Sequence, residues 1–279
     1  MTKLAITPGS ENPQSLHGLN LAILGAGGGM GRLFTRQARL AGAEVMAFNR
    51  EPGKGCLPFA AAADFLPQSR IILSCLPEAA LSETLEHLRP WLRADQILAD
   101  ITSLKGPAMR IMAEGHPGPV VGTHPLFGPK ARFADDHTGI GAGLGRRVAV
   151  VPGARALPEH IALVEGLFQG MGCRTFQCSA KEHDRAMAMM QGLNFLDQLA
   201  FLSIVSTVSR LDDFITPSFK RRLNAAQKFL HQDADLFITL ARDNPYVKEM
   251  GEALLGELRE VLHGDAEGAL ALAKAVFRK

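Results

Sequence analysis

Three short blocks hold the residue types that could do chemistry. Gly122-Thr-His124-Pro-Leu-Phe-Gly128-Pro129 sets a histidine among glycines and prolines that restrict the loop around it. Asp100-Ile-Thr-Ser103-Leu-Lys105 gathers a carboxylate, two hydroxyls and an ammonium into one short segment. Gly25-Ala-Gly27-Gly28-Gly29-Met30-Gly31 places five glycines in seven residues. An imidazole has an unperturbed pKa of about 6.5, so His124 could take a hydroxyl proton while hydride leaves the same carbon, with Ser103 orienting the ring. The glycine block suits another task. It lets a pyrophosphate approach backbone N–H groups at a helix N-terminus, where the dipole favours an anion and a Cβ would obstruct it.

These blocks must sit at strand ends to act together. Leu21 to Leu24 is a short apolar run leading into the glycines, and Leu33, Phe34, Ala38 and Leu40 then recur at helical spacing up to Ala41. Further β-like runs follow at Glu44 to Phe48, Arg70 to Leu76, Gln96 to Ile101, Val120 to Thr123, Arg147 to Val151 and Cys173 to Cys178. Helical patterns separate them, among them Ala79 to Leu92 and Pro158 to Gly172. The alternation predicts an α/β fold with a Rossmann-type, doubly wound parallel sheet over 19–178, after a polar tail at 1–18. From Ser179 the texture becomes Ala-, Leu- and Met-rich with helical periodicity, so 179–279 is expected to be an all-α substrate and dimerisation domain. Pro217 and Asp243-Asn244-Pro245 should divide it into four or five helices.

The strand–turn–helix context raises the glycine block to a dinucleotide-binding turn of variant spacing, GxGxxxG or GxxGxxG. Gly25, Gly27, Gly28, Gly29, Met30 and Gly31 are its expected cofactor contacts, joined by Cys75, Leu76 and Pro77 at the end of the third strand. The second strand ends in Phe48-Asn49-Arg50, without the acidic residue that would bind a ribose 2′-hydroxyl. Asn49 and Arg50 could accept a 2′-phosphate, which favours NADP and leaves NAD possible.

Composition narrows the field. Thirty Lys and Arg against twenty-eight Asp and Glu give +2, scattered along the chain, so no footprint for nucleic acid is expected. Four cysteines form no CxxC or metal-ligand spacing and read as reduced cytosolic thiols. The first eighteen residues lack an apolar segment of the signal-peptide kind, and no run of membrane-spanning length is expected, so a cytoplasmic location is predicted.

Met30-Gly31-Arg32, the Asp100 to Lys105 block, the Gly122 to Pro129 block and Glu182-His183-Asp184 with Met187 and Gln191 resemble the prephenate and arogenate dehydrogenases of tyrosine biosynthesis. The His-Pro-x-Phe-Gly-Pro block is the most specific of these. The resemblance covers most of 19–279. It implies oxidative decarboxylation of a cyclohexadienyl substrate, with hydride passing to the nicotinamide while the ring becomes aromatic. It further implies that His124 engages the ring hydroxyl with Ser103 as partner. Lys105, Gln191, Lys220 and Lys228 are the matched substrate contacts, and the helical domain would form a homodimer and roof the site. Two positions depart from the pattern. The stretch after Gln191 lacks the family's histidine, and Lys228 stands where a carboxylate-binding arginine is usual; lysine supplies charge without the bidentate fork. An NADP-dependent dehydrogenase or reductase of another small carboxylate substrate, or a cofactor-binding regulator without turnover, also fits a Rossmann domain joined to a helical one.

Overall fold

A computed structural model describes residues 15–51, 53, 55–130 and 145–275, with the side chains of 228–236 left aside. Most of the predicted tail, and residues 131–144 after the His124 block, lie outside the described residues. The chain divides into two compact units, one ending at Ala180 and one beginning at Lys181.

The first unit is an eight-stranded sheet in the order β3-β2-β1-β4-β5-β6-β7-β8. Its strands are β1 (Asn20–Leu24), β2 (Glu44–Asn49), β3 (Leu57–Pro58), β4 (Ile71–Ser74), β5 (Ile97–Asp100), β6 (Val120–Pro125), β7 (Arg147–Pro152) and β8 (Arg174–Gln177). Helices α1 (Gly29–Leu40), α2 (Ala62–Phe65), α3 (Glu78–Leu88), α4 (Lys105–Gly115) and α5 (Pro158–Gly170) connect them. Central strands β4 and β5 are buried along their whole length, as parallel strands covered on both faces must be. Two apolar clusters fill the two sides. One gathers Leu21, Ile23, Phe34, Val148 and Phe168; the other gathers Leu24, Phe48, Leu66, Leu81 and Leu98. Helix α1 buries Gly31, Phe34 and Ala38 and turns Arg32, Arg36 and Arg39 outward, which is why its pattern is legible.

Three expectations change. The sheet is not wholly parallel, because β7 runs antiparallel to β6, pairing Gly122 with Val151 and His124 with Ala149. Side-chain alternation reports burial but not strand direction. The folded part also begins before Leu19: Leu16 is buried in the first cluster, and its N–H donates to the Ala41 carbonyl. The helix after β4 stops at Leu88, because Pro90 cannot extend it.

The second unit is helical throughout its described length. A continuous helical run holds α6 (Ala180–Met187), a π segment (Ala188–Leu193) and α7 (Asn194–Val205); α8 (Leu211–Phe214), α9 (Pro217–Asp243), α10 (Pro245–His263) and α11 (Ala266–Ala275) follow. Pro217 starts α9 behind its Thr216 cap, and Asn244 caps α10 by accepting from the Tyr246 N–H. Gly192 lets α10 come close, since a Cβ there would stand 2.5 Å from a Val247 methyl. By length and composition alone, the run Ala180–Val205 is long and apolar enough to cross a membrane. That corrects the expectation of no such run, although Gln191, Asn194, Asp197 and Gln198 interrupt its apolar surface.

Candidate active site

The glycine turn joins β1 to α1 and is shaped by close approaches. Gly25 adopts φ +75°, and a Cβ there would stand 2.9 Å from the Cys75 carbonyl oxygen. Gly31 lies so tightly against the Gly25 carbonyl that any side chain would displace the turn. Arg32 pins the loop by donating from Nε to the Gly27 carbonyl at 2.6 Å. Gly28 caps α1 and Gly29 is its first residue, so no side chain stands at the helix N-terminus, where a pyrophosphate would fit.

The end of β4 backs this turn. The Cys75 N–H donates to the Leu24 carbonyl at 2.8 Å, and Leu76 packs beside Gly25. Burial, followed by the Asp100 charge, pushes the Cys75 thiol far above its ordinary range, so it stays protonated. Asn49 closes β2: its side chain fills the space beside Gly27 and donates to the Glu51 carbonyl at 2.8 Å. Arg50 is exposed and makes no ion pair among the described residues. A cavity of about 350 Å³ opens between α1 and β2, edged by Arg32, Arg36 and Arg39 with Ala47 and Cys56.

The His124 block reaches the same place. His124 itself is buried at 4% exposure on β6. Phe127 packs edge-on against Phe34 of α1, with ring centres 6.4 Å apart. Pro129 lies so near the glycine turn that a Cβ on Gly29 would stand 3.0 Å from its ring. Two blocks about a hundred residues apart in sequence thus meet at the N-terminus of α1.

In the Asp100 block Ser103 is half-buried, and the neighbouring Thr102 hydroxyl turns inward to Asp100 at 2.5 Å. Lys105 is fully buried at 0% exposure, its ammonium 2.5 Å from Asp100 and 2.6 Å from the Thr123 carbonyl. A buried ammonium must be neutralised where it lies, so the structure shows Lys105 in an internal ion pair and not as the substrate contact expected of it. Asp100 was part of a block singled out in the sequence, whereas Thr123, within β6, was given no role there.

In the helical unit, Gln191 lies on the π segment with its Oε1 buried and unpartnered, and Lys220 is exposed in the first turns of α9. Lys228 lies on α9, with its side chain outside the described residues. His183 and Asp184 form a buried pair at 2.8 Å, and Asn244 donates to the Asp184 carbonyl.

Comparisons with known proteins agree with this geometry. Residues 46–176 match the family model for the prephenate dehydrogenase nucleotide-binding domain. The T-protein of Haemophilus influenzae is 28% identical over 227 residues, covering 80% of this chain and 56% of its own. A probable arogenate/prephenate dehydrogenase of Methanocaldococcus jannaschii is 23% identical, covering 92% of this chain and 60% of its own. The family model and these relatives all indicate the prephenate/arogenate dehydrogenase family. The chain spans only 56% and 60% of the lengths of these two relatives. The fold agrees too: prephenate dehydrogenase from A. aeolicus, solved with hydroxyphenyl propionate and NAD+, superposes with a TM-score of 0.73 at 19% identity, covering 94% of this chain and 97% of that one.

Proposed function

We propose that this chain is a nicotinamide-dependent oxidoreductase that converts prephenate or arogenate by oxidative decarboxylation. The carrying observation is the meeting of Phe127 and Pro129 with α1, which brings the His124 loop to the turn that would hold the cofactor pyrophosphate. When bound, the nicotinamide supplies the hydride acceptor. His124 takes the proton of the ring hydroxyl as hydride leaves the carbon that carries it, and loss of CO2 leaves an aromatic ring. Strand β6, paired with β7 at Ala149, fixes the backbone that carries the imidazole, and a well-placed acid or base contributes about 10²- to 10⁴-fold. Ser103, at the neighbouring strand end, is assigned to the substrate side of the same surface. Gln191, Lys220 and Lys228 are assigned to substrate binding, with the lysines answering the carboxylate.

For the cofactor we favour NADP. Arg50 is exposed and unengaged, no acidic residue ends β2, and arginines edge the adjoining cavity. The relative from A. aeolicus, in contrast, was solved with NAD+. A cytoplasmic location fits cysteines that form no disulfide among the described residues. A homodimer through the helical unit fits the exposed Ile204, Leu262 and Leu272.

One assay tests the reading. Wild-type protein should reduce NADP when given prephenate or arogenate, and His124→Asn should lose kcat by about 10³-fold while binding cofactor normally. Arg50→Ala should weaken NADP about tenfold more than NAD, as loss of one charge-assisted contact would. Tight NADPH binding with no turnover of either substrate would favour a cofactor-binding regulator or a reductase of another carboxylate.

A further inference from the structure

The buried pair Asp100–Lys105 is costly twice over. Both side chains are fully buried, and Lys105 is the first residue of α4, where the helix dipole opposes a cation. Its partners explain what it holds. The backbone ladder between β5 and β6 pairs Leu98 with Val120 and Ala99 with Val121, and the register goes no further. Beyond it, side chains do the work of the ladder. Asp100 accepts from the Thr123 N–H through Oδ1 at 3.2 Å, Lys105 donates to the Thr123 carbonyl at 2.6 Å, and the Thr123 hydroxyl donates to the Asp100 carbonyl. Every polar group of Thr123 is therefore engaged by residues 100 and 105. Thr102 holds the Asp100 carboxylate from below, through its N–H at 2.9 Å and its hydroxyl. Gly122 makes room: a Cβ there would meet the Met109 sulfur at 2.5 Å and the Lys105 stem at 3.3 Å.

We propose that the Asp100–Lys105 ion pair is a positioning device for His124: it continues the β5–β6 connection where the backbone ladder ends and fixes the peptide from which the imidazole projects. The inference rests on His124 being the proton acceptor. Asp100 and Lys105 act through Thr123, so they govern turnover rather than cofactor affinity. Their pairing also explains why a lysine was drawn into the interior from a strand end that faces the ligand surface.

The test is the neutral double variant Asp100→Asn/Lys105→Met in the full chain, which removes both charges together and avoids stranding one of them. With prephenate as substrate, kcat should fall by about 100-fold, the cost of about 1 Å of misplacement, while the dissociation constant of NADPH stays within about twofold. The histidine carbon signal assigned by its loss in His124→Asn should shift or broaden in the double variant. Unchanged kcat together with an unshifted signal would overturn the inference. Should the double variant not accumulate as folded protein, Thr123→Val decides, since it deletes only the hydroxyl bond to Asp100: a several-fold loss of kcat supports the device and an unchanged kcat overturns it. His124→Asn measured alongside keeps the two readings apart. If it is inactive while the double variant has full kcat, only the positioning role falls; if it is fully active, the catalytic assignment falls first.

Discussion

The sheet unit and the helical unit bury apolar surface very differently. Both continuous core clusters lie in the sheet unit, where Phe34, Phe48, Phe168 and the strands around them are almost fully enclosed. Among the described residues of the helical unit, burial is scattered over Met187, Phe195, Phe237, Leu240 and Val247, while Ile204, Phe214, Leu262 and Leu272 are mostly exposed. Buried polar groups do not follow that division: among the described residues, Thr35, Ser69, Ser74 and His116 of the sheet unit, like Gln191 and Gln198 of the helical unit, each keep a buried side-chain atom without a hydrogen-bond partner.

Core truncation should expose the contrast most strongly. Phe168 is fully buried and meets Phe34 edge-on at 5.5 Å, so Phe168→Ala should cost about 3–5 kcal/mol in chemical denaturation. The same change at Ile204, 69% exposed, should stay within about 0.5 kcal/mol for the isolated chain. Comparable losses at both sites would erase the distinction between the units.

The next effect is on association. If a second copy covers the helical face, light scattering at micromolar concentration gives about twice the 30.0 kDa chain mass, and Leu262→Glu raises the dimer dissociation constant at least about tenfold, or ~1.4 kcal/mol. A monomer at that concentration would remove the second copy from the account.

The smallest effect concerns pH. Burial lowers the pKa of His116 below its ordinary value and the nearby Arg155 charge lowers it further; the bond between its Nε2 and the Gln96 carbonyl, 2.9 Å long, works in the opposite direction without offsetting them. The unfolded chain therefore binds a proton more readily than the folded one. This contribution to stability is complete above about pH 6.5 and is lost as pH falls through the folded value. His116→Gln should flatten that part of the stability profile, and an unchanged slope would mean that other groups carry it.

Much of the sheet was legible because its signals are local. Leu21 to Leu24, the five glycines and Phe34 with Ala38 each state their role within one strand, turn or helix. The glycine block could be read as a close-approach turn because only glycine permits the contacts found at Gly25 and Gly31. Short elements such as β3 and α2 were missed, since two to four residues carry no period to detect.

The sequence by itself determined the glycine turn, the alternation of strands with helices and the helical second half, because each follows from spacing along one stretch of chain; the loop expected around His124 is strand β6. Only the tertiary structure decided that β7 runs against β6, that Lys105 lies inside opposite Asp100, and that Pro129 returns to the N-terminus of α1. The direction of a strand and the fate of a charge depend on partners tens of residues away, and a buried ammonium is tolerated only where the fold brings a carboxylate and a carbonyl to meet it.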